Sequence, residues 1–88
     1  MKIAVCDDDK MDIARIKKLV KAYDADNNIG FSISEYESGS ELLKVISNGE
    51  NVDIIFLDIN MDEMDGLSVA KRIREIDDDV PSFLLRHS

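Results

Sequence analysis

The chain has 88 residues, 44% of them hydrophobic and 34% charged, with a formal net charge of −8. That length suits one domain with a small core, and the charge argues against non-specific binding of nucleic acid or an anionic membrane by this chain alone. No apolar run approaches bilayer-spanning length, no signal-peptide core follows Met1, and the single cysteine fits a reducing, cytoplasmic setting.

In chain order, Lys2 to Cys6 predicts a strand running into Asp7-Asp8-Asp9. Ile13, Ile16, Val20 and Tyr23 recur at helical spacing, Leu19 widens the stripe, and Lys10, Lys17, Lys18 and Lys21 fall largely opposite: an amphipathic helix. Asp24 to Gly30 carries Asp, Asn and Gly punctuation and predicts a loop. Phe31, Ile33 and Glu35-Tyr36 alternate as a half-exposed edge strand would. Ser38-Gly39-Ser40-Glu41 fits a capping box and opens a short helix over Leu42, Leu43, Val45 and Ile46, stopping near Asn48-Gly49. Val52 to Leu57 is nearly all apolar, which predicts a central parallel strand covered on both faces. Leu67, Ala70, Ile73 and Ile76 mark a third helix, closed by Asp77-Asp78-Asp79, and Val80-Pro81 leads into a fourth strand over Phe83-Leu84-Leu85. This alternation predicts a parallel, three-layer α/β sheet with right-handed crossovers.

Two apolar runs end in aspartate, at Asp7 and at Asp58. In a parallel sheet their carboxyl ends share one edge, where open α/β sheets bind ligands. Asp7, Asp8 and Asp58 then cluster, and a hard divalent cation with oxygen ligands would relieve their repulsion. Asp9 reads as a turn residue capping the first helix; the same plain turn role remains the alternative for Asp7 and Asp8. Asp58-x-Asn60-x-Asp62 mimics an EF-hand opening, but Glu63 stands where that loop needs Gly and Val69 where it needs Glu. Met61 and Met64 either fill gaps in the core or line a partner surface. Cys6 reads as a small buried hydrophobe with no catalytic role, Asp77 to Asp79 as a solvated loop, and His87 as a tail residue with nothing organised around it.

Val5-Cys6-Asp7-Asp8-Asp9 resembles the acidic turn after the first strand of response-regulator receiver domains. Phe56-Leu57-Asp58-Ile59-Asn60-Met61-Asp62-Glu63-Met64-Asp65-Gly66 resembles their phosphoacceptor loop, D-x-x-M-P-x-M-D/N-G. The resemblance runs from about residue 2 to residue 81, and its wording is most similar to receivers of the LytTR-type regulators. It implies a flavodoxin-like sandwich with strand order 2-1-3-4. It also implies that Asp58 accepts a phosphoryl group from a phosphohistidine of a sensor histidine kinase. Mg²⁺ would be held by the side chains of Asp8 and Asp58 and the backbone carbonyl of Asn60, with Asp7 acting from the outer shell through a metal-bound water. The chain would be a switch rather than an enzyme, regulating transcription within a full-length protein.

The departures from the pattern are specific. Asp62 replaces the usual proline, Arg86 stands at the position of the hydroxyl residue with Ser88 two beyond it, and no residue remains for the family's lysine. Residues 1–88 are therefore expected to form a single, incomplete receiver domain lacking the last α-β-α portion. Its fourth strand would be an exposed edge open to self-association. Two other classes compete: a haloacid-dehalogenase-like phosphohydrolase with Asp7 as nucleophile and Asp9 as acid/base, and a kinase-binding module that does not switch. Met11 stands where the phosphohydrolase signature wants a small hydroxyl residue or Val.

Overall fold

The computed structural model describes residues 1–59, 61 and 65–85. The elements follow in the order β1 (Lys2–Cys6), α1 (Lys10–Asn27), β2 (Ser32–Tyr36), α2 (Gly39–Ser47), β3 (Ile54–Asp58), α3 (Gly66–Ile76) and β4 (Ser82–Leu85). All strand pairs are parallel, and the sheet order is β2-β1-β3-β4. This is the flavodoxin-like order that the resemblance implies.

Strand alternation divides the core in two. Ala4, Cys6, Ile55 and Leu57 face one side and pack under Leu42, Leu43 and Ile46 of α2 and Val69 and Ile73 of α3. Ile3 and Val5 face the other side with Ile13 and Val20 of α1, joined by the half-buried Ile33, Ile54 and Phe56. The first half is the drier one, since Leu42, Ile55, Leu57 and Val69 are fully buried. Truncating a buried leucine of this kind to alanine typically costs about 2–5 kcal/mol.

Several boundaries differ from expectation for physical reasons. β3 begins at Ile54 rather than Val52, because Asp53 anchors the strand entry: its carboxylate accepts the Lys2 N–H at 2.7 Å and its own N–H donates to the Lys2 carbonyl at 2.9 Å. Nor are both faces of β3 equally covered, for Ile54 and Phe56 remain half-buried beneath the single helix α1. The stripes of α1 and α3 are narrower than the periodicity suggests. Leu19 is 67% exposed, Tyr23 56% and Leu67 59%, while the unassigned Val69 is fully buried. Tyr23 instead stacks on Phe31 with ring centroids 6.4 Å apart. The second helix keeps its cap: Ser38 accepts the Glu41 N–H at 3.2 Å, and Glu41 reaches back to the Glu37 N–H at 3.3 Å.

The expected loop from Asp24 is helical as far as Asn27. Its polar residues do mark a chain reversal, but one built by side-chain capping. Asn28 adopts the left-handed conformation (φ 56°) and donates to the Asp24 carbonyl, and Gly30 follows at φ 84°. The Asp24 carboxylate accepts N–H groups from Gly30 at 2.6 Å, Phe31 at 2.9 Å and Ile29 at 2.9 Å. Those bonds, Gly30 first and Phe31 next, hold its carboxyl below the ordinary range. A depressed acid stabilises the fold above the unfolded pKa of about 3.9 and loses that contribution as pH falls through the folded value. Asp24→Asn should therefore lower Tm at neutral pH, and the gap to wild type should close as pH falls below about 4. Thermal melts across that range check this; a gap that persists or widens in acid would contradict it.

Candidate acidic site at the carboxyl edge of the sheet

Cys6 of β1 pairs with Leu57 of β3 in parallel register. Asp7 and Asp58 each lie one residue further along, so they occupy adjacent places on neighbouring strands about 4.8 Å apart. Both alternate onto the same side of the sheet. Both are also buried, Asp7 fully and Asp58 to 2% exposure, whereas Asp8 is exposed. Carboxylate oxygens of Asp7, Asp8 and Asp58 all come within 4.8 Å of one another. The structure thus brings together the three aspartates singled out in the sequence. At that spacing two ionised carboxylates repel by about 3–4 kcal/mol at an effective dielectric near 20.

The backbone around the cluster is fixed from several directions. Asp7 N–H continues the ladder by donating to the Tyr36 carbonyl at 3.0 Å, and its carboxylate accepts the Asp9 N–H at 3.0 Å. Asp9 caps α1 through the Met11 N–H at 2.9 Å, as expected. On the other strand, Gly66 N–H donates to the Ile59 carbonyl at 3.2 Å and closes the loop after Asp58. Asp65 then caps α3, accepting from Ser68 N–H at 2.8 Å and Ser68 Oγ at 3.2 Å. Met61 tethers the loop to the core. It is 8% exposed and its Sδ lies 3.7 Å from Cys6 Sγ, which decides for the packing reading of this methionine. The assignments to Asn60, Asp62, Met64, Arg86, His87 and Ser88 lie outside the described residues.

Oxygen-only donors of this kind suit hard cations such as Mg²⁺ or Ca²⁺ rather than soft or borderline metals. Two ligand oxygens on one Mg²⁺ are at most about 4.2 Å apart, so the cluster fits such an ion with small side-chain movement. Asp77, Asp78 and Asp79 also lie close together but are exposed. There Asp77 merely accepts the Asp79 N–H at 3.1 Å after the end of α3, the solvated loop expected. A cleft of about 540 Å³ beside α3, lined by Leu67, Lys71, Arg74, Asp78, Asp79 and Val80 among others, shares no residue with the Asp7–Asp8–Asp58 cluster.

The family model for the response regulator receiver domain matches residues 3–86. The chain belongs to that family. Receiver domains are phosphoryl-accepting switches of two-component signalling. The chain is 36% identical over 76 residues to hybrid signal transduction histidine kinase L of Dictyostelium discoideum, covering 84% of this chain and 4% of that protein. It is 32% identical over 84 residues to the transcriptional regulatory protein PrrA of Mycobacterium tuberculosis, covering 96% of this chain and 33% of that one. The match thus spans only 4% and 33% of the length of these two curated relatives. Among solved structures, the N-terminal domain of a response regulator/sensory box/GGDEF protein from Carboxydothermus hydrogenoformans superposes with a TM-score of 0.86 at 26% identity, covering 100% of this chain and 66% of that one. The response regulator TrrA from Thermotoga maritima, solved in complex with Mg²⁺-BeF, gives 0.72 at 35% identity, covering 97% and 68%. No helix among the described residues of this receiver domain is long and apolar enough to cross a membrane.

One group beside the site reports its electrostatics. Burial, then the charges of Asp7, Glu41, Asp58 and Asp8, push the Cys6 thiol up to about 12. Cys6 Sγ–H donates to the Ser38 carbonyl at 3.4 Å and is fully buried. The thiolate is the reactive form, so the native receiver domain should be inert to an aromatic disulfide reagent at pH 8. Labelling should appear only as denaturant unfolds the chain. Rapid stoichiometric labelling of protein shown to be folded would contradict this placement of Cys6.

Proposed function

We propose that Asp58 is the phosphoryl acceptor of this receiver domain and that Asp8 and Asp58 hold Mg²⁺ through side-chain oxygens. In this reading Asp7 acts from the outer shell and Asn60 contributes its backbone carbonyl. The observation that carries the proposal is the meeting of three carboxylates from two strand ends within 4.8 Å. Asp58 is itself the last residue of the central strand β3, whereas Asp7 and Asp8 follow the end of β1. Asp9 is engaged as the α1 cap, which weighs against the alternative in which it serves Asp7 as acid/base.

A carboxylate is a weak nucleophile, so the chemistry rests on position and charge. An Asp58 oxygen attacks the donor phosphorus. The new P–O bond forms as the bond to the leaving group breaks, releasing imidazole from a phosphohistidine or acetate from acetyl phosphate. When bound, Mg²⁺ supplies neutralisation of the transferring oxygens and a template for their approach. The strand register sets where the Asp58 carboxylate stands, and the Asp9 N–H holds Asp7 in orientation. The acyl phosphate adds about −1.5 to −2 of charge by analogy with other phospho-residues, and that change is the signal.

In the cell the donor would be a sensor histidine kinase, with the receiver domain working in the cytoplasm and regulating transcription within a longer protein. Treatment with acetyl phosphate and Mg²⁺ should add one phosphoryl mass to the wild type and none to Asp58→Asn or to metal-free protein. Folded wild type that gains no mass, or Asp58→Asn that still gains it, would overturn the assignment.

We further propose that copies of the 88-residue chain associate through β4, one of the two outer strands of the sheet, whose pairing with β3 leaves one edge open among the described residues. Sedimentation velocity should show the weight-average coefficient rising with concentration. A single compact monomer at every concentration would refute this.

A further inference from the structure

We infer that Gly66 is a positioning residue for the Asp58 carboxylate, its missing side chain letting the first turn of α3 rest directly on the backbone of Asp58. The inference rests on the reading of Asp58 as acceptor. A Cβ at position 66 would overlap the carbonyl oxygen of Asp58, and would stand 2.7 Å from Ile59 Cα and 2.8 Å from the Asp58 carbonyl carbon. All three are backbone atoms, so no side-chain rotation relieves the overlap. Conformation is not the reason for glycine here, because Gly66 is not among the residues of positive φ. By propensity alone alanine would suit a helical position better.

The neighbouring elements decide where the strain of a substitution would go. α3 cannot retreat without lifting Val69 and Ile73, both buried in the core beneath it. It is also tied to the loop by the Gly66–Ile59 hydrogen bond at 3.2 Å and by the Asp65 cap. β3 is pinned along its length by β1 and β4. The movable point left between them is the Asp58–Ile59 peptide, whose displacement re-aims the acceptor carboxylate away from Asp7 and Asp8.

Gly49 supplies the control. It has φ 86° and nothing within 4 Å of a Cβ built on it, so alanine there strains the fold far from the carboxylates. The test uses the full 88-residue chain as wild type, Gly66→Ala and Gly49→Ala. It follows acyl phosphate formation from acetyl phosphate at saturating Mg²⁺, beside thermal melts and Mg²⁺ titrations. Gly66→Ala should lower the limiting rate by about 100-fold, the scale of an ångström misplacement, in protein that is still folded. Gly49→Ala should lower Tm and keep the rate.

An unchanged rate in Gly66→Ala, or a loss that only tracks its unfolded fraction, overturns the inference. Should Gly66→Ala fail to fold, Asp65→Ala decides, since it loosens the same helical turn without adding an atom against Asp58. Its rate must fall below that of Gly49→Ala at equal folded fraction, and equal rates overturn the inference. A wild type that accepts no phosphoryl group overturns the reading of Asp58 instead. Mg²⁺ affinity then speaks for Gly66: weakened binding in Gly66→Ala supports its role, and unchanged binding removes it.

Discussion

Everything at the carboxyl edge depends on the register between β1 and β3. The pair Cys6–Leu57 is the last in the ladder, and the next residue on each strand is an aspartate. A one-residue slip would send one carboxylate to the opposite face of the sheet, because side chains alternate with period two. The same slip would turn Ile55 and Leu57 out of the core half built by α2 and α3 and expose them beneath α1. Hydrophobic burial and the gathering of charge are thus fixed by one alignment. The core stabilises an arrangement whose charges alone would resist it, with a repulsion of about 3–4 kcal/mol per ionised pair.

The two halves of the core are unequal, and the inequality places rigidity where the site needs it. The α2–α3 side holds Leu42, Ile55, Leu57, Val69 and Ile73 at or near zero exposure. Met61, within the loop that follows Asp58, is anchored in this same half. On the α1 side, Ile54 and Phe56 are only partly covered. The loop after Asp58 is therefore attached to the drier, closer-packed half, and the helix that ends this loop begins against Asp58 itself.

Much of this was legible in the sequence. Alternation of apolar runs with helical stripes was enough for a parallel, three-layer α/β class, with the strand order implied by the family resemblance, and acidic residues directly after apolar strands were enough to pick out Asp7, Asp8 and Asp58. Capping chemistry at Asp9 and Ser38 also read correctly, since a cap is a local bond between residues two or three apart. The misreadings share a different cause. Leu19, Tyr23 and Leu67 sit at plausible helical spacing, but periodicity does not say how wide a stripe the neighbouring sheet can cover. Asp24, Asn27 and Asn28 have the composition of a loop, yet Asp24 folds its carboxylate over the following N–H groups and extends the helix to Asn27. Gly66 was visible only as the last letter of a motif. Its requirement is for space against a backbone carbonyl eight residues earlier, which no local pattern encodes.

The closeness of Gly66 to Asp58 also bears on how a phosphoryl signal would travel. A charge added to the Asp58 side chain is met by Asp7 and Asp8 on one strand and by the start of α3 through the shared backbone contact. The first of these responses is electrostatic and screened where Asp8 meets solvent. The second is steric, between atoms already at contact, and cannot be screened. Close-packed interfaces respond to small displacements by discrete repacking rather than continuous deformation. On the proposed reading, a sub-ångström shift of the Asp58 backbone is therefore passed to α3, whose next buried residues are Val69 and Ile73. On the same reading, glycine at position 66 permits the resting geometry of Asp58 and leaves the start of α3 directly against its backbone.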